Sequence, residues 1–148
     1  MRRAAATEQT GFLLQRAHRR LRLAHNEALR PLGLNIAHIA VLGLLLERGD
    51  LSQQRLIAIM DADKSTMVHL IDELERQDLV ERRADPSDRR AYAVHLTDQG
   101  RTRLTEAGAV VQQVERAFLA PLAARERGVF ADMLRRIADH VSPHARGR

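Results

Sequence analysis

The sequence predicts a mainly α fold with one small β-hairpin, in which long N- and C-terminal helices flank a compact middle segment. Three observations carry this prediction. Residues 12–32 repeat Phe12, Leu13, Ala17, Leu21, Ala24, Ala28 and Leu32 at about the 3.6-residue period of a helix. Between residues 51 and 77 two short amphipathic runs are separated only by Asp61-Ala62-Asp63. Residues 80–84 and 91–96 are β-prone and bracket the turn chemistry of Asp85-Pro86-Ser87-Asp88.

The elements follow in order. Leu32-Gly33-Leu34 ends the first helix, and Asn35 caps the second. Residues 36–47 are nearly all apolar, so this second helix is expected at the centre of the globule. After a turn at residues 47–50, a third helix is expected to begin at Leu51-Ser52 with Ser52 as its N-cap. The fourth, residues 63–77, sets Met67, Leu70, Ile71 and Leu74 at i, i+3, i+4, i+7 and leaves Lys64, Ser65, Val68, His69 and Asp72 on the opposite face. Beyond the hairpin, Thr97 caps a long helix to about Phe118, which Pro121 breaks. A last helix covers residues 123–140, with Phe130, Met133, Leu134, Ile137 and Val141 on one stripe. The three Phe residues, Phe12, Phe118 and Phe130, all lie outside the middle segment. Helices so far apart in sequence bury such stripes against each other or against a second subunit.

Composition narrows the function. The chain of 148 residues carries no cysteine, which excludes disulfides, thiolate nucleophiles, thiol redox sensing and thiolate zinc sites. No apolar run reaches the roughly 18 residues of a membrane span, and the Met1-Arg-Arg-Ala-Ala-Ala start leads into no apolar signal core. No membrane partner and a cytoplasmic location are therefore expected. The net charge of +5 favours an acidic partner, but its distribution does not simply support that reading. Residues 51–100 hold 7 basic and 10 acidic side chains, so any attraction for phosphate in this segment must be local.

Two helices joined by a tight turn, followed by an Arg-tipped hairpin, have the outline of a winged helix-turn-helix, whose partner is duplex DNA. The major groove admits one helix, and Lys64, Ser65 and His69 are the residues expected to meet base edges there. Thr66, with the amides that open this helix, is expected at phosphate. Ser52, Gln53 and Gln54 open the preceding helix and suit backbone contacts that hold register. Arg82, Arg83, Arg89 and Arg90 surround the hairpin, and Arg89 or Arg90 at its tip can enter a narrow minor groove. Asp88 can hold a neighbouring Arg by a bidentate pair. Each feature alone has a blander reading as solvated surface; their order and spacing together favour the DNA-binding one.

The run Asp63-Lys64-Ser65-Thr66, then Leu70-Ile71-Asp72-x-Leu74, Leu79-Val80-Glu81-Arg82, Asp85-Pro86-x-Asp88-x-Arg90 and Leu96-Thr97-x-x-Gly100 resembles the multiple antibiotic resistance regulator (MarR) family over about residues 35–101. The resemblance implies a single domain over residues 1–148. Within it, residues 33–100 form the winged helix-turn-helix lobe, and residues 10–32 and 101–141 the helical dimerisation region. It implies a homodimer reading a pseudopalindrome with half-sites about one helical turn apart. By position, Asp88 and Arg90 match the family's wing-tip Asp-x-Arg, which favours Arg90 over Arg89 as the minor-groove residue. His69 stands where such proteins often carry Arg.

The resemblance also implies a repressor released by a small phenolic or anionic effector, bound in a crevice for which His18, Arg22, His25 and His38 are the polar candidates. Histidines on amphipathic helices are more often satisfied structural groups. Without cysteine or an evident carboxylate–histidine cluster neither metal nor another cofactor is expected. A ligand-independent DNA-binding regulator and a helical protein-interaction module are the alternatives. An enzyme is not expected, since the chain has no Gly-rich phosphate loop, nucleophile elbow or His-Glu-x-x-His.

Overall fold

A computed structural model describes residues 9–140, with the Arg89 side chain outside the description. The elements run α1 (Thr10–Leu29), a 3-10 turn (Arg30–Leu32), α2 (Ile36–Arg48), β1 (Leu51–Ser52), α3 (Gln53–Met60), α4 (Lys64–Arg76), β2 (Val80–Asp85), β3 (Asp88–Leu96), α5 (Asp98–Phe118) and α6 (Ala124–His140). The mainly helical fold with a small β wing is as the sequence predicts. Val141, expected on the last helical stripe, lies outside the described residues. The chain divides into two compact units, residues 1–114 and 115–148.

The first unit is organised around α2 and α4. Val41, Leu42 and Leu45 from α2 meet Met67, Ile71 and Leu74 from α4 in one buried cluster with Leu56 of α3 and Val80 and Val94 of the hairpin. Each such side chain, fully buried, contributes about 1.5–3 kcal/mol. Pro31 confines the end of α1 to a 3-10 turn, and Gly33, at φ +69°, takes the left-handed conformation that reverses the chain. Asn35 caps α2 by accepting the His38 amide at 3.0 Å, while the Asn35 amide donates to His38 Nδ1 at 3.1 Å. Asn26 of α1 accepts the Ile36 amide at 2.9 Å, which fixes α1 to the start of α2.

The sheet has strand order β1-β3-β2, antiparallel throughout. Residues 51 and 52, expected as the start of a helix, instead pair with Val94 and Ala93, and the helix begins one residue later. Ser52 still serves as its N-cap, its Oγ accepting the Arg55 amide at 3.2 Å. Thr97 joins the wing to α5. Its amide donates to the Leu79 carbonyl, its hydroxyl donates to the Asp78 carbonyl at 2.6 Å, and its Oγ1 accepts the Gly100 amide at 2.9 Å.

In the second unit, Leu119–Ala123 turns the chain after α5, and Glu126 closes the first turn of α6 by accepting the Ala123 amide at 2.7 Å. No residue of α6 is buried; Val129, Phe130, Met133 and Ile137 form an exposed apolar face.

Candidate nucleic-acid interface

α4 is positioned from both sides. Its apolar stripe is buried, as the periodicity requires, and Asp63 caps its N-terminus. The Asp63 carboxylate accepts the Thr66 amide at 2.8 Å and the Thr66 hydroxyl at 2.6 Å. These bonds, the side-chain one foremost, hold Asp63 below the usual carboxylate range. They also occupy both donors of Thr66, so the phosphate contact expected of it has no free donor in this conformation. Lys64, Ser65 and His69 remain exposed on the outer face. Gln54 is exposed at the start of α3, where Ser52 and Gln53 are half-buried.

The wing is held to α4 by Arg82. Its guanidinium donates to Asp72 at 2.5 Å and to Glu75, and its amide donates to Glu75 Oε1 at 3.1 Å. Burial alone would lower the Arg82 pKa, but the Asp72 bond and the charge of Glu75 outweigh it and raise the group above its usual value. Arg82 therefore fixes the angle between wing and helix. Arg83 is paired with Glu81. At the tip, Asp85 accepts the Ser87 amide at 2.8 Å and Ser87 hydroxyl at 2.6 Å, an Asx turn that sets the two-residue reversal. Asp88 accepts the backbone amide of Arg90 at 2.9 Å, which orders the strand from which Arg90 projects; among the described side chains it pairs with no guanidinium. Among the described residues, Lys64 and Arg90 make no ion pair. Both are therefore free to meet phosphate.

Exposed polar residues on one helix, two glutamines before it and a free arginine on an ordered wing form a surface suited to a duplex. Comparison with known proteins bears on that surface. The family model described as "MarR family" matches residues 32–91. A solved MarR-family transcriptional regulator from Rhodococcus sp. RHA1 is 33% identical, with TM-score 0.84, over 92% of this chain and 98% of that one. The chain belongs to the MarR family.

It is accordingly a transcriptional regulator with a DNA-binding winged helix, and not an enzyme. A MarR-type structure from Rhodococcus jostii RHA1, CouR bound to p-coumaroyl-CoA, is 32% identical with TM-score 0.79 over 97% of this chain and all of that one. A transcriptional regulatory protein named for the hcr operon of Thauera aromatica is 33% identical over 97 residues, which span 66% of this chain and 58% of that protein.

The four residues expected at an effector crevice divide in two. His18 and Arg22 are exposed on α1, whereas His25 and His38 are buried. His38 is a structural group: Nδ1 accepts the Asn35 amide and Nε2 meets Glu73 Oε2 at 2.9 Å. Glu73 Oε1 in turn lies 3.2 Å from His69 Nε2. Sequence reasoning missed Glu73 altogether. Its i, i+4 spacing from His69 was visible, but its link to His38, 35 residues away, was not. Among the described residues no cluster of three or more His, Cys, Asp or Glu suits a metal ion.

Burial lowers the His38 pKa below 6.5, against the opposing pull of Glu73. The unfolded chain thus binds a proton before the native protein does. The His38 contribution to stability is complete above pH 6.5 and declines as pH falls below that value. Urea unfolding at about pH 7.5 and about pH 5.5 should show a larger acid loss for wild type than for His38→Asn. Equal losses would remove His38 as the source.

Proposed function

We propose that the protein is a homodimeric repressor that binds a pseudopalindromic operator through two winged lobes and is released by a small phenolic or anionic ligand. The exposed face of α4, together with a backbone-ordered Arg90 that makes no ion pair among the described residues, is the observation that carries the DNA half of this reading. Lys64, Ser65 and His69 meet base edges in the major groove, with Gln53, Gln54 and Ser52 on the backbone. Arg90, in preference to Arg89 beside it, enters the minor groove, where narrow sequences concentrate negative potential. Arg82 acts by holding the wing in place. The exposed apolar faces of α1 (Phe12, Leu13, Leu14, Leu23) and α6 support the dimer.

The effector half is supported by the p-coumaroyl-CoA complex of CouR, with His18 and Arg22, exposed on α1, and the buried His25 as the polar groups of the site; His38, the fourth candidate, already has both ring nitrogens engaged by Asn35 and Glu73. Among the described residues no single helix is long and apolar enough to cross a membrane; a DNA-binding regulator works in the cytoplasm beside the chromosome.

A gel shift with duplexes selected from a genomic library tests the whole reading. Wild type should bind selectively, with affinity falling steeply as salt rises. Arg90→Ala should weaken binding about tenfold or more, flatten the salt dependence and leave the unfolding midpoint unchanged. Simple phenolic acids added to the wild-type complex should release the duplex. Absence of selective, salt-dependent binding would refute the regulator reading; binding untouched by any such acid would favour the ligand-independent alternative.

A further inference from the structure

His38, Glu73 and His69 form a chain from the buried start of α2 to the exposed face of α4, and its hydrogen-bond directions are determined at one end. The Asn35 amide can only donate, so His38 Nδ1 must accept, and in the neutral ring the single proton lies on Nε2. That proton points to Glu73 Oε2 at 2.9 Å. The other carboxylate oxygen faces His69 Nε2 at 3.2 Å. This contact is an ion-pair distance without hydrogen-bond geometry, so Glu73 acts on His69 by charge: its carboxylate favours the ring proton on Nε2, which leaves Nδ1 as the acceptor. The His69 side chain is 69% exposed. On the same helix, Asp72 is held by Arg82.

We propose that Glu73 is a positioning residue that fixes the tautomer of His69, and that His69 so fixed makes the regulator discriminate amino-bearing from keto-bearing bases in the major groove. An acceptor at Nδ1 matches the N4 amino group of cytosine or the N6 amino group of adenine, whereas guanine and thymine present oxygen acceptors there. Cytosine is the clean case, because its major-groove edge offers a donor alone. The inference rests on α4 being the groove-reading helix. It adds to that reading the chemical class of base recognised, and a role for a buried histidine that touches no DNA.

Glu73→Gln tests it, because His38 dictates how the amide must lie. The His38 Nε2 proton still needs an acceptor, so the glutamine oxygen turns toward His38 and its NH2 faces His69. His69 Nε2 then faces a donor in place of a negative charge, which favours the proton on Nδ1. Nitrogen-15 NMR of the free protein at mildly alkaline pH should show His69 protonated on Nε2 in wild type and on Nδ1 in the variant, with His38 unchanged. An unchanged His69 tautomer would overturn the positioning role whether or not the protein binds DNA.

The second arm uses duplexes selected by the wild-type protein from a randomised library, with each position then varied singly. Wild type should prefer cytosine or adenine by roughly tenfold at one position per half-site, and Glu73→Gln should shift that preference toward guanine or thymine. His69→Ala, at an exposed site that folding does not depend on, should lose discrimination there and make the Glu73→Gln change silent. A tautomer that flips while base preference stays fixed would overturn the specificity role of His69. Uniform weakening across all sequences, with no change in preference, would show Glu73 to be structural only.

Discussion

Gly100→Ala is expected to destabilise the fold by about 3 kcal/mol, the upper range for overpacking a close-packed site and a large share of the roughly 5–15 kcal/mol that holds a domain together. A Cβ at this position would overlap the Leu79 carbonyl oxygen and stand 2.7 Å from Leu96 Cδ1 and 3.0 Å from the Leu79 carbonyl carbon. Nothing there yields easily. The Leu79 carbonyl is fixed by the Thr97 amide, and Leu79 and Leu96 are both buried in the core. Relief requires α5 to lift from the end of α4, breaking the Thr97 contacts with Asp78 and Gly100. Urea unfolding should show the midpoint falling sharply with little change in slope. A midpoint like that of wild type would mean that α5 is not seated where the structure puts it. The Thr97-x-x-Gly100 spacing thus has a packing reason: the helix start must lie against a carbonyl that a side chain would displace.

Replacing Phe130 and Met133 together by glutamate is expected to have the larger effect on function. α6 has no buried residue, and Val129, Phe130, Met133 and Ile137 stand between 37% and 54% exposed on one side. Most helical stability in proteins comes from packing an apolar face rather than from propensity, so the uncovered face of this 17-residue helix needs a partner. In the proposed dimer that partner is the second chain. Two glutamates on the face would leave a monomer, and each lobe would lose the effective concentration that linkage supplies, typically about a hundredfold or more in avidity. Light scattering should give the dimer mass for wild type and the chain mass for the variant. Titration against a selected duplex should show the matching fall in affinity. A variant that keeps both dimer mass and affinity would show that this face is not the interface.

Much of the fold could be read from local pattern. Met67, Leu70, Ile71 and Leu74 announced α4 because a helix repeats its buried face at fixed intervals, and Asp85-Pro86-Ser87-Asp88 announced the wing because these residues favour reversal. Asn35 and Ser52 were recognised as caps for the same reason, since capping is settled within three residues. β1 was misread as the opening of a helix. Two residues carry no periodicity, and what makes Leu51–Ser52 a strand is pairing with Val94 and Ala93 more than 40 positions later.

The interface divides along the same line. Lys64, Ser65, His69 and Arg90 were nominated by residue type and place, and the structure leaves them exposed. Arg82 and Thr66 carried the same chemical promise, yet Arg82 is ion-paired to Asp72 and Glu75, and Asp63 takes both donors of Thr66. A free arginine and a paired one look alike in a sequence, because the difference lies in which carboxylates the fold brings within reach.

By itself, then, the sequence determined the order of elements, the apolar faces and the residue types offered to a duplex, all of which depend on neighbours a few positions apart. Tertiary structure alone decided which polar groups are spent on the fold and which are left for a partner. It placed Glu73 between His38 and His69, pinned the wing to α4 through Arg82, and closed the space around Gly100. The links of Glu73 to His38 and of Gly100 to the Leu79 carbonyl join segments that sequence spacing cannot relate, and there a distance of about 3 Å decides whether a polar group is taken or a side chain fits.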